Sequence, residues 1–103
     1  NSGTVIIDIR RPEEWKQTGI IKGSETITAF QSNGKLHPDF QQKFFSLIRS
    51  RDTPVLLYCR TGNRTEKLGN ALVSQLGFTN AMHLSDGIVG WKKNGFVTSP
   101  YTE

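Results

Sequence analysis

Apolar residues in this chain fall into short clusters separated by polar turns, and the clusters alternate between two kinds of spacing. Val5-Ile6-Ile7-Asp8 and Val55-Leu56-Leu57-Tyr58 are continuous apolar runs, the pattern of strands buried on both faces of a parallel sheet. Shorter strands are predicted around Glu25 to Ile27 and over Ala81-Met82-His83-Leu84. Between these runs the spacing becomes helical. Pro12 opens a short helix, where its missing N–H costs nothing, and Glu13 and Glu14 suit the positive end of the helix dipole. Pro38-Asp39 opens a second helix running to about Ser50, with Phe40, Phe44, Leu47 and Ile48 on one face. Leu68, Leu72 and Leu76 recur every four residues in a third helix that starts at Thr65 and is capped by Gly77. Gly87-Ile88 opens a fourth, ending near Asn94-Gly95. Thr28 to Pro38 reads as a loop, and Phe96 to Glu103 as a tail without evident chemistry.

Strands alternating with helices predict an α/β fold: a single domain over residues 1–103, core about 5–96, with a mostly parallel sheet flanked by helices on both faces. Crossovers in such a sheet are right-handed. The composition fits a globular domain, with 35% hydrophobic and 21% charged residues. No apolar run is long enough for a transmembrane helix, so no membrane partner is expected. The net charge is +4, from 13 basic and 9 acidic residues. Outside Arg10-Arg11, Arg49 with Arg51, Lys92-Lys93 and the residues after Cys59 the cations are scattered, which argues against nucleic acid and for small anions. The abrupt opening at Asn1-Ser2-Gly3 reads as a mature or trimmed form, compatible with the cytoplasm, which is favoured, and with the periplasm.

One cysteine excludes an internal disulfide and a Cys-rich zinc site, and neither metal nor cofactor is predicted. His37 has no ligand-type residue at metal-binding spacing. The cysteine, Cys59, stands between the Val55–Tyr58 strand and the third helix, in Cys59-Arg60-Thr61-Gly62-Asn63-Arg64-Thr65. Strand, short loop and helix N-terminus make an anion site: loop amides converge and the helix contributes partial positive charge. The same features lower a thiol's pKa from its free value of about 8.5 and favour the nucleophilic thiolate. In open α/β sheets ligands bind at the strands' carboxyl ends, which is where Cys59 falls. The plainer reading of a single cysteine, a small buried hydrophobe, sits poorly with a loop this basic.

The stretch Cys59 to Thr65 resembles the active-site loop of single-domain rhodaneses, the thiosulfate sulfurtransferases. Three further stretches carry the resemblance in the family's order: Asp8-Ile9-Arg10 with Pro12-Glu13-Glu14-Trp15, then Gly19-Ile20-Ile21-Lys22-Gly23-Ser24, then Leu84-Ser85-Asp86-Gly87-Ile88-Val89-Gly90-Trp91. The chain departs from the family at Ile20 and Lys22, where His and Pro are usual, and at Asp86, where Gly is more common. Near an anion site the extra carboxylate of Asp86 could oppose substrate binding, and its effect is left open. The resemblance implies that Cys59 takes a sulfane sulfur from thiosulfate or a persulfide and passes it to cyanide, a thiol or a protein acceptor, through a persulfide. Amides from Arg60 to Thr65, Asn63 included, would hold the negative charge. Arg60 and Arg64 would draw in the donor, Thr61 and Thr65 would add hydroxyls, and Gly62 would supply the backbone conformation.

Asp8 and Arg10 are expected to frame this region from outside, Arg10 most simply through an ion pair. His83 is set aside as a base, because it falls on a strand and the family activates its cysteine by amides and cations. Two other functions are weighed. A Cys-dependent phosphatase or arsenate reductase would use a similar cradle, but with five residues between Cys and Arg where Cys59 and Arg64 have four between them. A non-catalytic module of this family, used for binding or regulation, would typically have the cysteine replaced, whereas Cys59 is present; redox sensing through Cys59 oxidation is compatible with all three readings.

Overall fold

The computed structural model describes residues 4–101; Asn1-Ser2-Gly3, on which the reading of a trimmed start rests, and the last two residues lie outside the described part. Eight elements alternate strictly: β1 Val5–Asp8, α1 Pro12–Thr18, β2 Glu25–Thr26, α2 Phe40–Leu47, β3 Val55–Tyr58, α3 Asn63–Leu76, β4 Ala81–His83 and α4 Gly87–Lys93. The four strands form one parallel sheet in the order β2-β1-β3-β4. β1 and β3 lie in the centre, in register from Val5 opposite Val55 to Asp8 opposite Tyr58. These are the two continuous apolar runs, as burial on both sides requires.

Alternate side chains of the central strands feed two cores. Ile7, Val55 and Leu57 pack with Phe40 and Phe44 of α2, Leu68 and Leu72 of α3, and Phe78. Tyr58 packs on the opposite side with Ile21 and with Ile88 of α4, joined by Ile6, Leu84 and Trp91. The aromatic residues of α2 are core: Phe44 lies 5.4 Å from the Phe40 ring and 5.3 Å from Phe78.

Several boundaries differ from the pattern-based ones. α2 ends at Leu47 rather than near Ser50, because Ile48 turns extended (φ −107, ψ 105) and sinks into the core. α3 begins at Asn63, two residues before Thr65, because Gly62 makes the turn into it with φ 101. β2 is cut to two residues, though the Ile27 amide still donates to the Asp8 carbonyl at 3.0 Å. The tail is tied down: Ser99 and Ile20 exchange backbone hydrogen bonds of 2.7 and 2.8 Å, and Tyr101 packs 5.2 Å from Trp15.

At the carboxyl end of β1, Asp8 and Arg10 form a pair that solvent does not reach, with side chains 0% and 1% exposed. Arg10 Nη2 and Nε donate to the carboxylate at 2.7 to 3.1 Å, and its remaining donors go to Thr18 Oγ1 at 2.7 Å and the Gly19 carbonyl at 2.9 Å. A buried charge stripped of its partner is far costlier than the intact pair is favourable. Asp8→Ala is accordingly expected to lower unfolding stability by about 3–5 kcal/mol in urea denaturation. Arg10→Met in the same chain should recover a substantial part.

Candidate active site

β3 delivers Cys59 into the interior, where it is 1% exposed and packs with the main core. The next three residues turn the chain into α3. Gly62 makes that turn possible, since its φ of 101 disfavours a side chain and a Cβ would run into the Ser85 carbonyl oxygen. The outer side of the loop is pinned by α4. The Ile88 amide donates to the Cys59 carbonyl at 2.9 Å and the Val89 amide to the Arg60 carbonyl at 3.1 Å. In a trans peptide the N–H points opposite the C=O. Fixing these carbonyls on α4 therefore turns the amides of Arg60 and Thr61 away from α4. Gly87 is needed for the same contact, because a Cβ at its φ of 61 would overlap the Arg60 carbonyl.

Inside the loop, the Gly62 amide donates to Cys59 Sγ at 3.1 Å, and Thr65 Oγ1 lies 3.7 Å from the same sulfur. Burial by itself pushes the thiol up. It is outweighed by the amide and hydroxyl of Thr65 and the amides of Gly62 and Arg64, which hold the thiol below its ordinary value. Thr65 is itself fully buried.

The remaining loop side chains do not converge on the sulfur. Arg60, Thr61 and Asn63 are exposed. Arg60 lines a cleft of about 830 Å³ with Arg11, Glu13, Val89, Lys92 and Lys93. Asn63 and Arg64 line a smaller one of about 290 Å³ with Arg11, Phe30 and Lys67. Arg64 is held bidentately by Glu14, Nη1 to Oε1 and Nη2 to Oε2, both at 2.9 Å. Burial would raise the Glu14 carboxyl, but the Arg64 guanidinium and the Arg11 amide prevail and hold it low. The same carboxylate accepts from the Arg11 amide at 3.2 Å, so it ties the start of α1 to the start of α3. Asp8 and Arg10 stay outside the cup and spend their side-chain bonds on one another, Thr18 and Gly19.

Two residues enter that the sequence pattern did not assign to the site. In the sequence Glu14 figures in the first turn of α1 and in the Pro12-Glu13-Glu14-Trp15 stretch that carries the resemblance; its link to Arg64 spans half the chain and has no local signature. His83 Nδ1 lies 2.9 Å from Thr65 Oγ1, because register places His83 beside Leu57, two residues before Cys59. Asp86 is exposed and lines a separate depression with Leu84, Trp91, Asn94 and Phe96; it lines neither of the two clefts beside the loop.

Residues 1–94 match the rhodanese-like domain family. An uncharacterized protein of Rickettsia prowazekii is 31% identical over 101 residues, covering 91% of this chain and 81% of the relative. The probable adenylyltransferase/sulfurtransferase MoeZ of Mycobacterium tuberculosis is 32% identical over 88 residues, which are 85% of this chain but 20% of MoeZ. A solved protein of unknown function from Rhodopseudomonas palustris, described as a possible tyrosine phosphatase, superposes with a TM-score of 0.68 at 25% identity, over 95% of this chain and 72% of its own. The parallel sheet with its four helices is the fold these proteins share, and the chain belongs to the rhodanese-like domain family.

Proposed function

We propose that this protein is a sulfurtransferase that carries sulfane sulfur on Cys59. The observation that carries the reading is the setting of Sγ: buried, with its thiol held below the ordinary value by donors that converge from one tight loop. The Cys59 thiolate attacks the outer sulfur of thiosulfate or a persulfide, the S–S bond of the donor breaks, and sulfite or a thiolate leaves with the electron pair. The enzyme-bound persulfide is then attacked at its outer sulfur by cyanide or a thiol, and the pair returns to Sγ. Loop amides suit the small anion formed at each stage. The chain has no second cysteine, so the acceptor thiol comes from another molecule. The cleft beside Arg60 is of a size that admits a thiol-bearing molecule larger than thiosulfate.

One structural neighbour is described as a possible tyrosine phosphatase, and a Cys-dependent phosphatase would use a similar cradle. Here the Arg that would clamp a phosphoryl group is Arg64, and Glu14 already holds both of its Nη atoms. Four intervening residues also make a smaller cup than five would. Both features favour sulfur over a tetrahedral phosphoryl group.

Incubation with thiosulfate is expected to add one sulfur atom to the intact mass; the gain should vanish on adding cyanide and be absent in Cys59→Ser. No gain in a protein whose cysteine still alkylates would overturn thiosulfate as donor. The pH dependence of loading follows from the thiol. The reactive thiolate is present above the folded pKa and lost as pH falls through it, so the midpoint should lie below the roughly 8.5 of a free cysteine. Aryl phosphate hydrolysis should stay at the Cys59→Ser background; hydrolysis dependent on Cys59 would replace the sulfurtransferase reading with the phosphatase one.

A further inference from the structure

The Thr65 hydroxyl has one proton and three neighbours: Cys59 Sγ at 3.7 Å, the Gly62 carbonyl at 3.2 Å and His83 Nδ1 at 2.9 Å. Sulfur, as thiolate, and carbonyl are both acceptors. The imidazole nitrogen can serve in either sense, according to the tautomer. If Nδ1 is an acceptor, three acceptors compete for a single proton, and the nearest, the ring, takes it from the sulfur. If Nδ1 carries hydrogen, it donates to a lone pair of Oγ1, and the hydroxyl proton is left for Sγ and the Gly62 carbonyl. Thr65 is fully buried, so water is poorly placed to make up the deficit of the first arrangement. The second satisfies more groups and aligns the dipoles of His83, Thr65 and the sulfur anion in one direction.

We infer that His83 is a positioning residue, which donates its Nδ1–H to Thr65 and so turns the Thr65 hydroxyl onto the Cys59 sulfur. It does not touch the sulfur itself. The effect is to stabilise charge on Sγ both in the resting thiolate and when Sγ becomes the leaving group of sulfur release. Other groups charge the same neighbourhood: Arg64 lies near Cys59, but its guanidinium is held by Glu14. This inference rests on the reading of Cys59 as a reactive thiolate, and needs no sulfur donor to be tested.

The test is the pH profile of Cys59 alkylation by iodoacetamide in four variants: Thr65→Val, His83→Leu, the two combined, and His83→Asn, whose amide can still donate near the Nδ1 position. Thr65→Val and His83→Leu are each expected to move the profile to higher pH and slow alkylation near pH 7 by about threefold to tenfold, the range of one lost hydrogen bond. The combined variant should move it no further than Thr65→Val alone, and His83→Asn should lie close to the parent. Thermal melting of each variant identifies any that is misfolded, and His83→Asn then carries the comparison with Thr65→Val. The inference is overturned if His83→Leu superposes on the parent, if its shift adds to that of Thr65→Val, or if His83→Asn behaves as His83→Leu. Alkylation reads the thiolate alone, so a protein that refuses sulfur from thiosulfate would defeat the proposed function and leave this result standing.

Discussion

Cys59 ends a central strand within the main apolar core, and burial there opposes negative charge on its sulfur. The rest of the site follows from how that cost is offset. The largest compensation comes from dipoles, the Thr65 amide and hydroxyl and the amides of Gly62 and Arg64, with the Arg64 guanidinium adding its charge from the neighbourhood. Dipoles stabilise an anion only when their orientation is already fixed, since turning them during the reaction would forfeit most of the gain. The fixing is done from the other side of the loop, where α4 amides bind the Cys59 and Arg60 carbonyls. The approach of α4 requires Gly87, and the approach of the Ser85 carbonyl requires Gly62. The two glycines and the short fourth helix are thus part of the same electrostatic arrangement as the cysteine.

This explains what could be read in the sequence. The strands were legible because β1 and β3 are buried on both sides and need unbroken apolar runs; β2 and β4, at the edges, are short, and their limits shifted. The position of the cup was legible because strand, loop and helix are contiguous in the chain and the chemistry is local to Cys59 to Thr65. What was not legible depends on register and on contact between distant elements. Glu14 reaches Arg64 only because α1 and α3 begin side by side. His83 reaches Thr65 only because β4 pairs with β3 at Leu57. Its exclusion as a direct base is consistent with the geometry, since Thr65 stands between it and the sulfur. Asp86 neighbours the site in sequence, but at the start of α4 it lines the exposed depression beside Trp91.

The ion pairs divide into those that hold the frame and the cations left over. Asp8 with Arg10 closes the end of β1 against the start of the Gly19 turn, and Glu14 with Arg64 joins two helix N-termini. The second neutralises Arg64, which the sequence alone credits to substrate capture; the first is the ion pair that the sequence suggests for Arg10.

Among the described residues, the cations left without an acidic partner beside the loop are Arg60, Lys92 and Lys93, which line the larger cleft, and Lys67, which lines the smaller one; all are exposed. Exposed charges act through water and are screened over about 10 Å at moderate salt. They raise the local concentration of an anionic donor and speed its arrival, with little hold on the reacting atoms. The hydrogen bonds that stabilise charge on sulfur are buried, and salt hardly reaches them. On the proposed function, capture and chemistry would fall to different groups: uptake from an anionic donor would weaken with ionic strength through encounter, while the hydrogen bonds around the sulfur would change little. An acceptor from outside this chain could then replace the donor in the cleft without altering the environment of the sulfur.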